Sequence, residues 1–356
     1  MARPGLSLLR PVHLRGHTPA SLAEAWPDRP LALPLARRVI GRVVGEDRDD
    51  LEGVRGVSKV LAREILARTS TARLAVLDRR TSPADGFVKY LFRAPDGAVF
   101  ETVRIPLEKP RWSVCVSSQA GCGLGCAFCA TARLGLARNL EAWEMVEQVL
   151  AVRREGPERP VSGVVFQGQG EPLQNYDAVM RAAAILRDPN GLRIRGESIT
   201  ISTVGLVPAI ERYADEGHVH RLILSLTSAI PGKRDALVPS SRANPLPALA
   251  RAAARVADGR RAPVHLGWVL LRGVNTGDDE AEAIARLFPH HPVRVHLIDV
   301  NDPSGRFAPP DDAERGRFVA ALASRRVAFV RRYSGGAAID AACGMLASTA
   351  RGGRTA

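Results

Sequence analysis

Gly121-Cys-Gly-Leu-Gly-Cys-Ala-Phe-Cys129 carries three of the five cysteines of the 356-residue chain, in a C-x-x-x-C-x-x-C arrangement. Soft thiolate ligands select zinc, copper(I) or iron–sulfur clusters over hard cations. A four-iron cluster usually takes four cysteines, whereas Cys122, Cys126 and Cys129 supply three from one loop. A cluster held by three thiolates keeps one iron open to a further ligand, which indicates catalysis.

Two other interpretations of this loop are open. A structural zinc ion needs a fourth ligand, but none of the eight histidines lies in the loop. Free cysteine also behaves as a small hydrophobic residue in protein cores. The two glycines between Cys122 and Cys126 favour a loop that wraps a bound group, so we interpret the three cysteines as ligands of a [4Fe-4S] cluster.

The composition predicts a globular, strongly basic protein. A hydrophobic content of 46% over 356 residues is enough to build a large core. Fifty Lys and Arg against 37 Asp and Glu give a formal net charge of +13. Such a charge attracts polyanions, and nucleic acid is the expected partner. A GC-rich genome also favours arginine, however, whatever the function of the protein.

No targeting or membrane signal is apparent in the sequence. The apolar run at the start of the chain is broken by Arg10 and Pro11, so no signal-peptide core forms. No stretch approaches the roughly 18 to 20 apolar residues of a membrane span. An odd number of cysteines, three of them clustered, fits reduced thiols in the cytosol. We therefore expect a cytoplasmic protein that does not associate with membranes.

The N-terminal region reads as a small helical accessory domain. Leu33–Val44 and Ser58–Ala67 show helical spacing of apolar residues. Leu51–Ser58 between them resembles the glycine turn of a helix-hairpin-helix, where backbone amides at a helix N-terminus can meet a phosphate. The same Gly-x-x-Gly pattern also makes ordinary turns between helices.

A β-hairpin is expected after this domain, because Phe87–Tyr90 and Ala98–Ile105 flank the turn Pro95-Asp-Gly97. From residue 111 on, short apolar strands alternate with helical stretches, which is typical of a parallel α/β sheet. Six such strands are too few for a closed eight-stranded barrel, so we predict an open, partial (β/α)6 barrel. The six strands are Ser113–Val116, Gly163–Phe166, Ser198–Ser202, Leu222–Leu226, Val264–Leu271 and Val293–Ile298.

The expected boundaries are a helix-hairpin-helix-like domain over 1–80, a β-hairpin extension over 81–110, the core over 111–350 and a disordered tail over 351–356. Ligands of such folds collect at the carboxyl ends of the strands. The cysteine loop, Gly168-Gln-Gly-Glu-Pro172, Ser202, Ser225-Leu-Thr227 and Asn301 each follow a predicted strand. We expect these loops to form one pocket for a nucleotide-like cofactor. Glu171 there can accept hydrogen bonds from an ammonium group, unless it is an ordinary exposed carboxylate.

Four motifs resemble, in the same order, the radical S-adenosylmethionine (SAM) RNA methyltransferases that methylate adenosine, the RlmN/Cfr family. They are Cys115-Val-Ser-Ser-Gln-Ala-Gly-Cys122, Gly168-Gln-Gly-Glu-Pro172, Val238-Pro239 and Ile339-Asp-Ala-Ala-Cys-Gly344, within about residues 85 to 350. The resemblance implies a radical-SAM barrel with a C-terminal methyl-carrier segment and a [4Fe-4S] cluster that binds SAM. It also implies two SAM molecules per turnover, an external electron donor such as flavodoxin or ferredoxin, and a monomer.

The resemblance further implies methyl transfer to C2, or alternatively C8, of an adenosine in ribosomal RNA, with transfer RNA as a second candidate. The cysteine matching Cys343 becomes S-methylcysteine, the one matching Cys115 forms a transient disulfide with it, and Glu101 is the proton acceptor. The residues implied to contact SAM are Gly170, Glu171, Ser202, Ser225, Leu226, Thr227 and Asn301.

The chain departs from the family pattern around the cofactor. Gln169 stands where Met is usual, Thr227 where His is usual, and Asp299 and Asp302 where Pro is usual. The N-terminal region also matches loosely. Two further functions therefore stay open: a radical SAM methylase acting on a peptide or small metabolite, and a non-catalytic iron–sulfur RNA-binding protein.

Overall fold

The structure is a computed structural model that describes residues 12–26, 31–108, 110–302 and 304–347. The start of the chain, where no signal peptide was expected, and the tail over 351–356, expected to be disordered, lie outside these residues. In the N-terminal region a short parallel pair joins β1 (Val12–His13) to β2 (Thr69–Ser70). The first helix, α1 (Pro19–Ala25), precedes the two predicted ones. These are α2 (Leu33–Ile40), which continues as a π-helix (Gly41–Gly45), and α3 (Lys59–Arg68).

Three antiparallel strands follow, β3 (Ala75–Thr81), β4 (Val88–Arg93) and β5 (Val99–Pro106). β4 and β5 are the predicted hairpin. β3 corrects the prediction of a purely helical region over 1–80 and turns the hairpin extension into a three-stranded one. Its residues are almost all exposed, so the strand has no apolar alternation and is held by backbone pairing to β4 at the sheet edge.

The core contains all six predicted parallel strands: β6 (Trp112–Val116), β9 (Val161–Phe166), β10 (Ile199–Thr203), β11 (Arg221–Ser225), β12 (Val264–Leu270) and β13 (Val293–Asp299). A seventh, β14 (Ala328–Arg332), extends the predicted six-stranded set. It is exposed along its whole length, and its apolar residues Ala328–Val330 are consecutive, without the alternation that would mark a half-buried strand. Between β6 and β9, the separate pair β7 (Gln119–Cys122) and β8 (Gly135–Asn139) frames the cysteine loop.

The antiparallel extension and the parallel strands form one ten-stranded sheet in the order β14-β13-β12-β11-β10-β9-β6-β5-β4-β3. The sheet is open, as predicted. Its helices are α4 (Ala142–Arg154), α5 (Tyr176–Arg187), α6 (Val207–Asp215), α7 (Pro231–Leu237), α8 (Leu246–Arg260), α9 (Asp278–Leu287) and α10 (Asp312–Ser324). Short 3-10 turns lie at Leu14–Gly16, Ala130–Leu134, Pro172–Asn175, Gly196–Ser198, Pro239–Ala243 and Ala337–Ile339.

The core lies between the sheet and the helices that cover one face of it. Trp268 of β12 is fully buried and packs against Phe318 of α10 with 5.9 Å between ring centroids. Burying one such aromatic side chain contributes about 2–3 kcal/mol. The other face of the parallel strands is left to line a cavity. Within the described ranges, no helix is long and apolar enough to cross a bilayer.

Buried charges join the N-terminal region to the core. The Arg15 side chain is inaccessible to solvent and lies 2.6 Å from Asp49 and 3.4 Å from Glu147 of α4. Arg154 of the same helix contacts both Glu147 and Asp47. Close packing adds to this junction, since a side chain at Gly45 would collide with the carbonyl oxygen of Asn190.

Candidate active site

All five cysteines of the chain line one cavity of about 190 Å³. The cavity lies at the carboxyl ends of the parallel strands, where βα loops meet in folds of this class. Cys122, Cys126 and Cys129 are half-buried on one side. Cys115 comes from β6 and Cys343 from the C-terminal segment, so three parts of the chain converge here.

The cysteine loop is held in place by its backbone. The amide of Ala127 donates to the carbonyl of Leu237 at 2.9 Å, and that of Ala130 donates to the carbonyl of Gly344 at 2.7 Å. Gly121 has a φ of +77° and its missing side chain would overlap the carbonyl of Gly135. Only glycine adopts this conformation at low cost with backbone so close. The loop is thereby tied directly to the segment that carries Cys343.

The donor set fits an iron–sulfur cluster. Burial and the neighbouring thiols raise the pKa of Cys126 to about 12, so a positively charged metal group is what would stabilise the thiolate form there. In the described part of the chain, no three His, Cys, Asp or Glu side chains converge closely enough to hold a single metal ion. A cluster does not require such convergence, because each cysteine binds a different iron.

Glu171 is 2% exposed and connects two loops of the cavity. Its Oε1 accepts from the amide of Leu173 and its Oε2 from the amide of Val204, both at 2.9 Å. Burial raises the pKa of this carboxyl, while those two amides and the Thr203 hydroxyl oppose the rise. A carboxylate oxygen has more than one lone-pair site, so Glu171 can still accept from an ammonium group in the cavity.

The other residues expected to contact SAM divide into two groups. Gly170, Ser202 and Ser225 line the cavity together with Glu171. Leu226, Thr227 and Asn301 are not part of its lining: the first two are fully buried behind the strand end. The Asn301 amide donates to the carbonyl of Asp299 and to the Ser334 hydroxyl, both at 3.2 Å.

Thr227 is held in an unusual conformation. Its φ of +59° is in the left-handed region, which is costly for a β-branched residue. Its carbonyl accepts from the Asn275 side chain at 2.7 Å. The buried Thr227 hydroxyl has no hydrogen-bond partner among the described residues. Because Thr227 is fully buried and does not line the cavity, this hydroxyl does not point to a ligand contact.

Glu101, on β5, is completely buried and forms an ion pair with Lys89 of β4 at 3.0 Å. The Gln169 amide donates to its other oxygen at 3.3 Å. Val103, two residues further along the same face of β5, lines the cavity. Glu101 therefore lies directly beneath the cavity floor.

Cys343 and Cys115 differ in their backbone setting. Cys115 is a strand residue that pairs with Val103, and burial, with Cys343 nearby, raises the pKa of its thiol. Cys343 lies in an irregular segment, and its amide donates to the Ser334 hydroxyl at 2.9 Å. Desolvation raises the pKa of the Cys343 thiol, whereas the Ser334 hydroxyl and the Arg332 charge oppose the rise.

The two aspartates that depart from the family pattern have structural partners. Asp299 lies 3.2 Å from Arg315 and 2.9 Å from Arg331. Asp302 accepts from the amides of Ser304 and Phe307 and so closes its own turn. Neither carboxylate therefore needs a cofactor as a partner.

Three site residues were missed by the sequence reasoning: Lys89, Arg234 and Ser334. Arg234 is 1% exposed and donates to the carbonyls of Leu226 and Val204, joining two strand-end loops. Burial lowers its pKa to about 10. No spacing or motif marks these residues, because their partners are distant in sequence.

A second, more open cavity of about 700 Å³ lies between the N-terminal helices and the core. Part of the 51–58 loop lines it, together with five arginines: Arg37, Arg38, Arg42, Arg55 and Arg193. Arg38 is held by the carbonyl of Arg55 at 2.8 Å. The predicted phosphate contact of the 51–58 loop stays a prediction, and the charge around it is of the required sign.

Comparison with known proteins places this geometry in a family. Residues 116–288 match the model of the radical SAM superfamily. A protein named as a probable RNA methyltransferase of Anaeromyxobacter sp. (strain Fw109-5) is 48% identical over 345 residues, covering 96% of this chain and 100% of the relative. The dual-specificity RNA methyltransferase RlmN of Anaeromyxobacter dehalogenans is 40% identical, covering 92% of this chain and 89% of its own.

The chain belongs to the RlmN-like radical SAM RNA methyltransferases. The crystal structure of a radical SAM methyltransferase from Sphaerobacter thermophilus superimposes with a TM-score of 0.86 at 36% identity, covering 94% of this chain and 99% of that one. Membership of this family confirms the predicted fold class and the SAM-dependent methyltransferase activity. It also implies SAM and a [4Fe-4S] cluster.

Proposed function

We propose that this methyltransferase transfers a methyl group through Cys343 to C2 of an adenosine in ribosomal RNA, with transfer RNA as a second substrate. The observation that carries the proposal is the meeting of Cys115 and Cys343 in the cavity of the three loop cysteines. Both thiols are free, and Cys343 is exposed. A methyl carrier and a resolving thiol are the roles that fit such a pair.

In this proposal Cys122, Cys126 and Cys129 hold the [4Fe-4S] cluster, and Glu171 accepts the amino group of SAM. Reduced by an external flavodoxin or ferredoxin, the bound cluster and SAM supply radical chemistry. C2 of adenine needs such chemistry, because it belongs to an electron-poor ring and is not a nucleophile. One SAM methylates Cys343 and a second supplies the radical, giving two per turnover.

Cys343 is suited to carry the methyl group. Ala341, Ala342 and Gly344 around it are small, and the sulfur lies in the same cavity as the three loop cysteines, so methyl donor and substrate can both reach it there. Cys115 is fixed in β6 and attacks the Cys343 sulfur once the product is attached. This is thiolate attack on sulfur: the S–S bond forms as the bond between the Cys343 sulfur and the bridging carbon breaks. That carbon takes up a proton while the ring loses one to Glu101, and the one surplus electron would return to the cluster.

Glu101 accepts the ring proton in this proposal. Its position on β5, two residues from the cavity-lining Val103 and between Lys89 and the Gln169 amide, supports this role. Lys89 balances the negative charge in surroundings without water. The carboxylate is therefore available as a base although the side chain is completely buried.

Two features support RNA as the substrate. The net charge is +13, and five arginines line the cavity beside the N-terminal helices. Clustered cations of this kind bind phosphodiester backbones with a strong dependence on salt. We further propose that the protein works in the reducing cytoplasm, because the site depends on five free thiols. We propose that it acts as a monomer.

The test is methylation by anaerobically reconstituted protein supplied with SAM, a reductant and either ribosomal or transfer RNA. Mass spectrometry of nucleosides should show 2-methyladenosine, and a product at C8 would correct the proposed position. Cys343→Ala should give no product, and Cys115→Ala should accumulate a covalent protein–RNA adduct. Full methylation by Cys343→Ala would refute the methyl-carrier role.

Controls separate the other functions left open by the sequence. A protein that cleaves SAM but methylates neither RNA would act on a peptide or small metabolite. A protein that binds RNA but cannot cleave SAM when its cluster is reduced would be a non-catalytic binder. Substitution of Ser324, an exposed serine at the end of α10, by alanine controls for handling of the variants.

A further inference from the structure

The inner face of the parallel sheet carries a row of arginines and histidines. In a strand, residues two apart share a face, so the cavity-lining residues Ser225, Val269 and Ile298 identify the inner face of β11, β12 and β13. The residues that share this face nearer the strand starts are Arg221 on β11, His265 on β12, and Arg294 and His296 on β13. Arg332 on β14 pairs with Ile298 and lies on the same face.

The row starts beside Cys343. The charge of Arg332 acts on the Cys343 thiol, as stated above. From Arg332 the side chains continue in contact: its Nε donates to Nδ1 of His296 at 2.8 Å, and Nε2 of His296 lies 2.9 Å from Nδ1 of His265. The hydrogen-bonded side chains thus lead from Arg332, beside the active-site cavity, to two histidines on the neighbouring strands β13 and β12.

The direction of these hydrogen bonds follows from the guanidinium. Arginine only donates, so Nδ1 of His296 must accept, and its Nε2 then carries the hydrogen that bonds Nδ1 of His265. Burial and nearby arginines lower the pKa of His296 to about 3 and that of His265 to about 4. Both rings are therefore neutral at pH 7 and act as a fixed support for Arg332.

The arginines of the row lack protein counter-ions. Among the residues that the structure describes, none of Arg221, Arg294 and Arg332 forms an ion pair with an acidic side chain, and Glu197 acts on Arg221 only at longer range. By contrast Arg331, on the opposite face of β14, lies 2.9 Å from Asp299. Arg294 and Arg332 are exposed. Unpaired cations held on one face of a sheet are suited to an external anion.

An aromatic ring at the cavity mouth adds a second feature of nucleic-acid sites. Tyr333 follows the last residue of β14, lines the cavity and is 75% exposed. Its hydroxyl donates to Asp85 at 2.9 Å, and its ring meets Phe87 edge-on at 6.1 Å. The ring is therefore held in position while most of its surface is open. Exposed aromatic rings beside cations are what single-stranded RNA uses for stacking.

We propose that the inner face of β11–β14 binds the phosphates of the substrate RNA next to the methylated adenosine, through Arg221, Arg294 and Arg332. The proposal rests on the proposed function, and it names the surface by which the substrate reaches Cys343. RNA fits better than an acidic peptide, because the three arginines share one face of the sheet with a cavity that has an exposed aromatic ring, Tyr333, at its mouth.

The test measures binding of an unmodified ribosomal RNA transcript to the reconstituted protein over a series of KCl concentrations. The double variant Arg221→Gln/Arg294→Gln should lower the slope of log Kd against log salt by about 0.7 to 0.9 for each lost phosphate contact. Arg251→Gln is the matched control, since Arg251 is exposed on α8, away from the inner face. Arg251→Gln should leave the slope of log Kd against log salt equal to that of the unsubstituted protein, apart from the small effect of removing one positive charge.

Cluster content and SAM-dependent methylation of Cys343 without RNA should be unchanged in the double variant, which shows that the site itself is intact. A slope and a Kd equal to those of Arg251→Gln would overturn the proposal. This failure differs from failure of the proposed function: there, the unsubstituted protein would methylate no RNA, whereas here it would methylate RNA bound on another surface.

Discussion

Lys89 and Glu101 form an ion pair inside the protein, with 3.0 Å between Nζ and Oε1 and side chains that are 4% and 0% exposed. Lys89 also donates to the carbonyl of Asp340, three residues before Cys343. The pair thus connects the cavity floor to the segment that carries the proposed methyl carrier. Removing water from two charges is costly, and the geometry recovers that cost only while both partners are present.

Lys89→Met should therefore lower the free energy of unfolding by about 3–5 kcal/mol, the usual effect of leaving one buried charge without its partner. The double variant Lys89→Met/Glu101→Met should be more stable than Lys89→Met, because it buries no charge. Urea unfolding under anaerobic conditions measures both. Equal stabilities of the single variant and the unsubstituted protein would contradict a buried ion pair.

Ser334→Ala should slow methylation of Cys343. The Ser334 hydroxyl accepts from the Cys343 amide at 2.9 Å and from the Asn301 side chain at 3.2 Å, so it anchors the cysteine segment beside the cavity. We expect a rate several-fold lower, measured by mass spectrometry of the Cys343 peptide, with unchanged iron content. Ser334→Thr keeps the hydroxyl and should restore the rate; if it does not, bulk at this position matters and not the hydrogen bond.

Arg15→Met should separate the N-terminal region from the core. Arg15 is the cation between Asp49 and Glu147, and burial raises the pKa of Glu147, an effect that Arg154 and Arg15 oppose. We expect a loss of about 3 kcal/mol in the free energy of unfolding and faster proteolysis before residue 75. Arg48→Met is the control, because Arg48 is exposed in the same region. Equal rates of proteolysis before residue 75 in Arg15→Met and Arg48→Met would contradict the prediction.

The sequence was sufficient for the parts of the fold that have a local signal. The structure has the six apolar strands, the two helices and the turn Pro95–Gly97 where the patterns indicated them. The three loop cysteines line one cavity with Cys115 and Cys343. β3 and β14 escaped prediction because both are exposed edge strands, defined by pairing with a neighbour and not by their own residues.

The remainder of the site depends on contacts between distant segments. Lys89 and Asp340 are 251 residues apart, and Gln169 reaches both Glu101 and the carbonyl of Leu346. No periodicity or spacing encodes such meetings. In the loop after β11, the position of Thr227 at a strand end was predicted correctly, but its orientation was not. Its φ is positive and its side chain is fully buried.

Buried histidines should make the protein sensitive to mild acid. Burial lowers the pKa of His13, His220 and His265 to about 4, from 6.5. Between pH 6.5 and 4 the unfolded chain therefore binds more protons than the folded one, so the free energy of unfolding falls as the pH falls through this window. One pKa unit corresponds to about 1.4 kcal/mol.

His220→Asn should reduce this fall, since His220 is 3% exposed and outside the cavity. Burial raises the pKa of Glu147, Glu171 and Glu280, and these groups act in the opposite direction because the folded state then holds more protons. The informative quantity is therefore the difference between variant and unsubstituted protein at pH 7.5 and pH 5. The exposed His290 provides the control His290→Asn, which should retain the full fall; the same pH profile in both variants would mean that His220 does not contribute.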